Sequence, residues 1–553
     1  MISYSFSIGG KDVLGLVVSV SWRYGINRIP EFTIRLSQLD DKEEDEALST
    51  FNLKKAAKLG AGEPLVFKAK IENDDKPVGE AEFKGVITGR KIGIDGHSYV
   101  EIIAHGESVK LTEGKFTQFF KADKHADDTK VIEAIAKLRG VKLAVPKSGI
   151  AQSQFFVYDQ TPWRAIMSRA LANGFVFVPS HKGDKMVDAE DMGKAAKSAK
   201  ATTFSEGGIE EIWIEQDIRS QFDSVKFDAW DVKGQKVLKG TADENASLDG
   251  FLPVKFKLLG NTQDQNLAAP LPEAEINAIA KASQFFRKLD HVQGAIVFNV
   301  DANPDAAKLM PLDAIELKEA GDTFSGKYLV TSVSHEVSPN AWRVRVELGL
   351  HMNYTLLSDW ADTPNVPNLT GVVGKFEKDA DGFYRVPVWI PGVSKDDKEV
   401  LFARLATPFA SAEKSGLYLP PNEKDEVVLS FLGGDARFPV IVGSMHNPVN
   451  KAPLEYQEKN EQVGFFWGKQ KLGIHAMIKE GEEGLSFAGG EKSATTLNDK
   501  DGWQAKLDKN AIVIGEKVEL KHGDKPAITI DADKIDMKTG TCTVAVDSKM
   551  EVK

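Results

Sequence analysis

Gly321, Gly326 and Lys327, within GDTFSGKY, stand at the G-x-x-x-x-G-K spacing of a phosphate-binding loop. Such a loop works because a Ser or Thr after the Lys ligates magnesium and a following helix turns its N-terminal amides toward the phosphates. Here Tyr328 takes the hydroxyl's place, and the residues that follow, YLVTSVSHEV, alternate with the period of a strand. The stretch is therefore expected to be a turn feeding a strand, with no nucleotide role for Lys327.

Other chemistry is equally sparse. The ten histidines are scattered and form no H-E-x-x-H pair; His335 and Glu336 are strand neighbours, so they point to opposite faces. KDADGFY from Lys378 and NDKDGW from Asn498 have the look of calcium loops but lack the D-x-[DN]-x-[DN]-G frame with its terminal Glu, and Asp-Gly is a common hairpin turn. There is no G-x-S-x-G elbow. The single cysteine, Cys542, alternates with valines and reads as a small apolar filler. With 81 acidic residues, chance carboxylate pairs are guaranteed, so they identify no glycosidase. The expectation is no catalytic site, no cofactor and no metal.

The elements that surround these residues say more. A chain of 553 residues exceeds one core and suggests three or four units at ~100–200 residues each. The net charge of −11, without a Lys/Arg stripe, disfavours a nucleic-acid groove or an anionic membrane. The start, MISYSFSIGGKDVLGLVVSV, has no basic n-region, and its apolar run is broken by Gly15 and Ser19, so no Sec-type export signal is visible. One cysteine allows no internal disulfide, which fits assembly in a reducing cytoplasm.

Strands are expected over Phe32–Leu36, Pro64–Ile71, Ala81–Ile94 and Ser98–His105, where apolar residues alternate between Gly and Asp turns. DDTKVIEAIAKLRG predicts a helix with Val131, Ile135 and Leu138 on one face, an Asp127 or Asp128 cap and Gly140 at its end. QTPWRAIMSRALANG predicts another, capped by Thr161 with Pro162 at its first position, and PEAEINAIAKASQFFRKLDH a third. Strands resume from Ile212 to Phe227. Residues 181–207 read as a surface excursion, and the two prolines of 358–368 mark a linker. Five short strands from Leu369 to Asn450, with Asp381-Gly382 as a hairpin turn, have the count and size of a small oligonucleotide/oligosaccharide-binding (OB) barrel. The tail is a succession of very short alternating segments: Ile512/Ile514, Val518/Leu520, Ile528/Ile530, Ile535/Met537, Cys542/Val544/Val546 and Met550/Val552. Faces of two residues make no core alone. They require a single-chain solenoid or other copies of the chain.

This order of parts resembles the VgrG-like spike proteins of contractile injection systems, relatives of the hub and needle of contractile phage tails. The resemblance is carried by DQTPWRAIMSRALANGFVFV, by FSGKYLVTSVSHEVSPNAWRVRVELGL, and most specifically by DGFYRVPVWI with FARLATPFASAEKSGLYLPPNEKDEVVLSFLGGDARFPVIVGSMHNPVNKAP. It covers nearly the whole chain. No lysozyme-like insertion separates barrel from tail, and long valine-glycine runs are absent.

The resemblance implies a mainly β, multi-domain chain with a few helices: a hub over 1–360 with two β-barrel subdomains and helical insertions, an OB-fold barrel over 361–453, and an intertwined triple-stranded β-spike over 454–553. It implies a homotrimer whose spike core includes Ile512, Ile514, Ile528, Ile530, Cys542, Val544 and Val546. It further implies a conical tip protein with proline-alanine-alanine-arginine (PAAR) repeats at Met550 and Val552, contacts with an inner tube and baseplate proteins, effector cargo, and synthesis in a bacterial cytoplasm before assembly into a phage-tail-like particle. Two readings stand against it: a spike-borne cell-wall hydrolase, and an OB-fold binder of single-stranded nucleic acid stacking bases on Phe383, Tyr384 and Trp389. The last is disfavoured by the charge, and no nucleic-acid partner is expected.

Overall fold

The computed structural model describes residues 2–547 except 10, 13–16, 38–59, 74–75, 96, 122, 199–200, 205–207, 244–258, 261, 319, 352–365, 380, 395–398, 457 and 469–470. The chain forms two units, Met1–Met445 and His446–Lys553.

Alternation builds the first unit. Phe32, Ile34 and Leu36 of strand Glu31–Ser37, and Phe67, Ala69 and Ile71 of Pro64–Asn73, all point inward and are buried. These strands join a thirteen-stranded sheet that also takes in strands from far down the chain, Val292–Asn299, Gly326–Ser338 and Ala341–Leu348. Val17–Gly25 pairs antiparallel with Gly326–Ser338, placing Trp22 opposite His335. The sheet curls strongly. Tyr4, near one edge, lies 6.5 Å between ring centroids from Trp342, near the other, and its hydroxyl donates to Asp301. Trp22, Phe67, Phe83 and Trp342 fill the space enclosed.

His335 belongs to that core. Its ring stacks 4.2 Å from Trp22, and Trp342 Nε1 donates to its Nδ1 at 3.2 Å. Burial pushes its pKa down to about 3, so the imidazole is a neutral packing element.

The phosphate-loop look-alike resolves similarly. Gly321–Phe324 is one helical turn, where the sequence suggested a plain turn; Gly321 sits at φ +74, and Ser325 Oγ donates back to the Gly321 carbonyl at 2.7 Å. Strand Gly326–Ser338 follows. Tyr328 is wholly buried, its hydroxyl donating to the Phe324 carbonyl at 2.6 Å, and Lys327 faces Glu316 across the ladder.

A second core gathers helices Asp128–Leu138, Pro162–Ala172 and Glu273–Asp290. Asp127 and Thr161 cap the first two, accepting from Lys130 N at 3.0 Å and Arg164 N at 3.2 Å. The first helix buries Val131, Ile132, Ile135 and Ala136, while Leu138, expected inside, is 48% exposed. The 181–207 excursion is also corrected. Lys185–Asp188 pairs with Phe175–Val178, and helix Ala189–Ser198 anchors itself by the buried Met192.

Leu369–Val373, Val386–Trp389, Leu401–Leu405, Glu426–Phe431 and Pro439–Ser444 close into a five-stranded barrel. Asp381-Gly382 lies in the long loop between its first two strands rather than in a tight hairpin. Of the expected linker, 358–365 lies outside the described residues, and Val366 is already buried in the barrel core. The second unit is a meander of ten strands from Gln462–Trp467 to Cys542–Asp547, each antiparallel to the next.

With Tyr328 in the core and a strand after Lys327, Lys327→Ala is expected to change stability by no more than ~0.5 kcal/mol, the usual range for an exposed substitution. Calorimetry should detect no ATP binding in either protein. Micromolar binding abolished by the substitution would sink this assignment.

Candidate functional site

Two arrangements could do work: one face of the C-terminal sheet and a buried ion cluster in the first unit. In an antiparallel ladder, directly paired residues share a face. Following the pairs across the meander gives one continuous column, Val463, Ala476, Leu485, Leu497, Trp503, Ile514, Val518, Ile530, Ile535, Val546. Beside it on the same face runs a second, Phe465, Ile474, Phe487, Thr495, Ala505, Ile512, Leu520, Ile528, Met537, Val544. A third column ends in Cys542, paired with Thr539.

The opposite face is mostly polar or small, with Phe466 and Val513 among the exceptions. It carries Glu519, Lys521, Lys534, Asp536 and Lys538, with ion pairs Lys521–Glu519 at 2.7 Å and Lys534–Asp536 at 3.0 Å. The apolar face remains open in the single chain: Ile514 is 46%, Ile530 40% and Val544 43% exposed. An apolar surface this continuous marks a contact surface, since each Å² removed from water is worth about 25 cal/mol.

The seven predicted spike residues, Ile512, Ile514, Ile528, Ile530, Cys542, Val544 and Val546, all fall on this face. Met550 and Val552 lie outside the described residues. Sequence reasoning missed the earlier strands, where Phe465, Ile474, Phe487 and Trp503 continue the same columns. Their signal was the same alternation, blurred by Phe466 on the other face and by Gly489 on this one.

The second arrangement ties the small barrel to the helices. Arg437, from the barrel, donates through Nη1 to Glu275 Oε2 at 2.8 Å and through Nη2 to Asp435 Oδ2 at 2.7 Å. Arg169 Nη2 donates to Glu275 Oε1 at 2.8 Å and to Asp128 Oδ2 at 2.7 Å. Gln152 and Asn173 amides complete Asp128 at 2.7 and 2.8 Å. Asp128 and Glu275 sit in the first turns of their helices, where the backbone dipole favours a carboxylate. Burial alone would raise the Glu275 pKa, but Arg169 and Arg437 outweigh it and hold it at about 2. Nearby, Phe119 and Phe156 stack 4.6 Å apart against the barrel core, and the Gln154 amide donates to the Arg437 carbonyl at 3.0 Å.

The look-alike calcium loop is filled by its own arginine. Arg385 Nη2 donates to Asp379 Oδ1 at 2.7 Å and also reaches Asp381. Among the described residues, no cluster of three or more His, Cys, Asp or Glu is placed to hold a metal. Of the three candidate stacking rings, Tyr384 is 94% exposed, while Phe383 and Trp389 are half-buried.

Comparison with known proteins follows this division. The family described as the Alg8 N-terminal domain matches residues 3–339, and the type VI secretion system/phage-baseplate injector OB domain matches residues 369–446. No curated protein matches by sequence. Among solved structures, the Francisella PdpA–VgrG complex in its half-lidded form is 10% identical, covering 92% of this chain and 88% of that one at a TM-score of 0.53. A lidless PdpA–VgrG complex is 10% identical over 92% of this chain and 99% of the other, at 0.54. An E. coli component of the type VI secretion system is 13% identical over 80% and 99%, at 0.47. At such identities the likeness is one of fold.

Removing Arg437 would leave Glu275 buried beside a single guanidinium, so Arg437→Ala is expected to cost about 3–5 kcal/mol by urea denaturation. The double change Arg437→Met with Glu275→Leu should recover much of that loss. Because the Glu275 pKa is depressed from 4.5 to about 2, its contribution is complete above pH 4.5 and is lost as pH falls toward 2. Glu275→Gln should flatten stability over that window; an unchanged acid limb would contradict the assignment.

Proposed function

Because this chain belongs to the family of the Alg8 N-terminal domain and carries the injector OB domain of type VI secretion systems and phage baseplates, we propose that it is the hub and spike of a contractile injection system. The observation that carries the proposal is the one-sided ten-stranded sheet that follows the injector barrel. In this reading residues 1–360 are the hub, 361–453 the barrel and 454–553 the spike. Three copies turn their apolar faces inward to make a triangular prism. The prism's core holds Ile512, Ile514, Ile528, Ile530, Cys542, Val544 and Val546, and its polar faces meet solvent. Each copy supplies the cover that the other two lack.

The prism would be stiff along its axis, because every layer adds a ladder of backbone hydrogen bonds, and stiffness is what a membrane-piercing rod requires. The hub would meet an inner tube and the baseplate, and the particle would carry effectors to a target cell after assembly in the bacterial cytoplasm. The work is mechanical and involves no catalysis by this chain. Met550 and Val552 continue the tail's alternation and are proposed to hold a conical PAAR-repeat tip protein.

Native mass spectrometry tests the assembly. The expected mass is three times 60.5 kDa, and Ile530→Lys, which would bury three unpaired ammonium groups around one axis at a cost of several kcal/mol, should weaken the trimer. A variant that kept full trimer stability would exclude the prism. For the tip, Met550→Glu combined with Val552→Glu should abolish co-purification with the cognate tip protein and leave the trimer whole. Undiminished co-purification would place that contact elsewhere.

A further inference from the structure

A groove of about 350 Å³ lies between the hub's small sheet and the five-stranded barrel, and the functions above leave it unused. On the hub side Trp230, the last residue but one of strand Ser224–Asp231, is 47% exposed. That strand needs no help from it: Val225, Phe227 and Ala229, on the other face, make the core contacts. Lys233 follows in the turn, and Phe402 and Arg404 stand on the barrel side.

The charges in this groove are unevenly spent. Arg385 is committed to Asp379 and Asp381 and lies 5.6 and 5.5 Å over the Phe383 and Phe402 rings. Arg437 is locked to Glu275 and Asp435. Lys233 and Arg404 are exposed and, among the described residues, have no carboxylate partner. With those pairs set aside, the unspent charges of the lining are two cations, Lys233 and Arg404, against one carboxylate, Asp231, whose Oδ1 accepts from the Lys233 amide at 2.9 Å. A concave, partly aromatic surface with surplus positive charge raises the local concentration of an anion bearing an apolar group.

We propose that this groove docks an extended acidic peptide segment of a partner protein. One aromatic side chain of the segment enters beside Trp230, and carboxylates on either side of it meet Lys233 and Arg404. Cations on separate walls suit two carboxylates on nearby side chains. Single-stranded nucleic acid is the poorer fit, since tracking its phosphates takes a continuous basic stripe, and two unpaired cations do not make one. The groove lies wholly within the first unit, so the proposal stands whether or not the tail assembles.

The test uses the full chain and a fluorescein-labelled acetyl-Glu-Asp-Phe-Glu-Leu peptide, read by fluorescence anisotropy. Saturable binding with Kd at or below about 100 μM is expected. It should be weakened about tenfold by Trp230→Ala and by Arg404→Glu, whose urea midpoints should match the parent because both side chains are exposed. The same peptide with Lys in place of its acidic residues should not bind. The proposal is overturned by a lack of saturable binding, by equal affinity in parent and both variants, or by tighter binding of a ten-residue oligothymidylate.

Discussion

A sheet with one apolar face and one charged face has to be covered, and the ten-stranded tail supplies no cover for itself among its described residues. Its strands are only five or six residues long, so each contributes two or three side chains to a face. The register keeps those few side chains aligned through all ten strands. That alignment is what turns a set of weak hairpins into one continuous surface. A single slip of one residue would send Ile528 and Ile530 to the charged side, and the surface would break at that layer. The tail's need for a cover follows from strand length and register together.

The first unit solves a different problem, holding a small barrel in a fixed attitude on a larger body. Apolar contact alone, as at Phe119 and Phe156, permits some sliding because it is non-directional. The bonds from Arg437 to Glu275 and Asp435 do not, because a planar guanidinium satisfies two carboxylates only at one orientation. Burying five charged groups costs desolvation, and the return is orientation rather than stability. For the hub proposed above, a directional joint between barrel and helices is the relevant property.

Much of this was legible in the sequence, and the exceptions have physical reasons. The five barrel strands, the Asp127 and Thr161 caps and the alternation of the tail are local patterns, readable within a window of ten residues. The ion cluster was not readable, because Asp128, Arg169, Glu275 and Arg437 are brought together across separations of 41 to 162 residues. Leu138 looked inward by helical spacing, but packing against the second helix set the buried stripe nearer Ile132 and Ala136. Helix Ala189–Ser198 was hidden by its polar composition, and the buried Met192 anchors it. The tail's face was underestimated upstream of Ala511, since Gly489 takes a position on the apolar face and Phe466 puts an aromatic ring on the other one.

The central claim is that the apolar face of the tail is an interior, and Cys542, the chain's single cysteine, reports on it directly. In the isolated chain this thiol is exposed. The measurement is the rate at which a bulky maleimide modifies Cys542 in the native protein, compared with the same protein in urea. Burial between three copies predicts little reaction until the denaturant separates the chains, followed by one label per chain. Modification of the native protein at the rate of a free thiol would mean that the face is open to water, and the prism would be wrong.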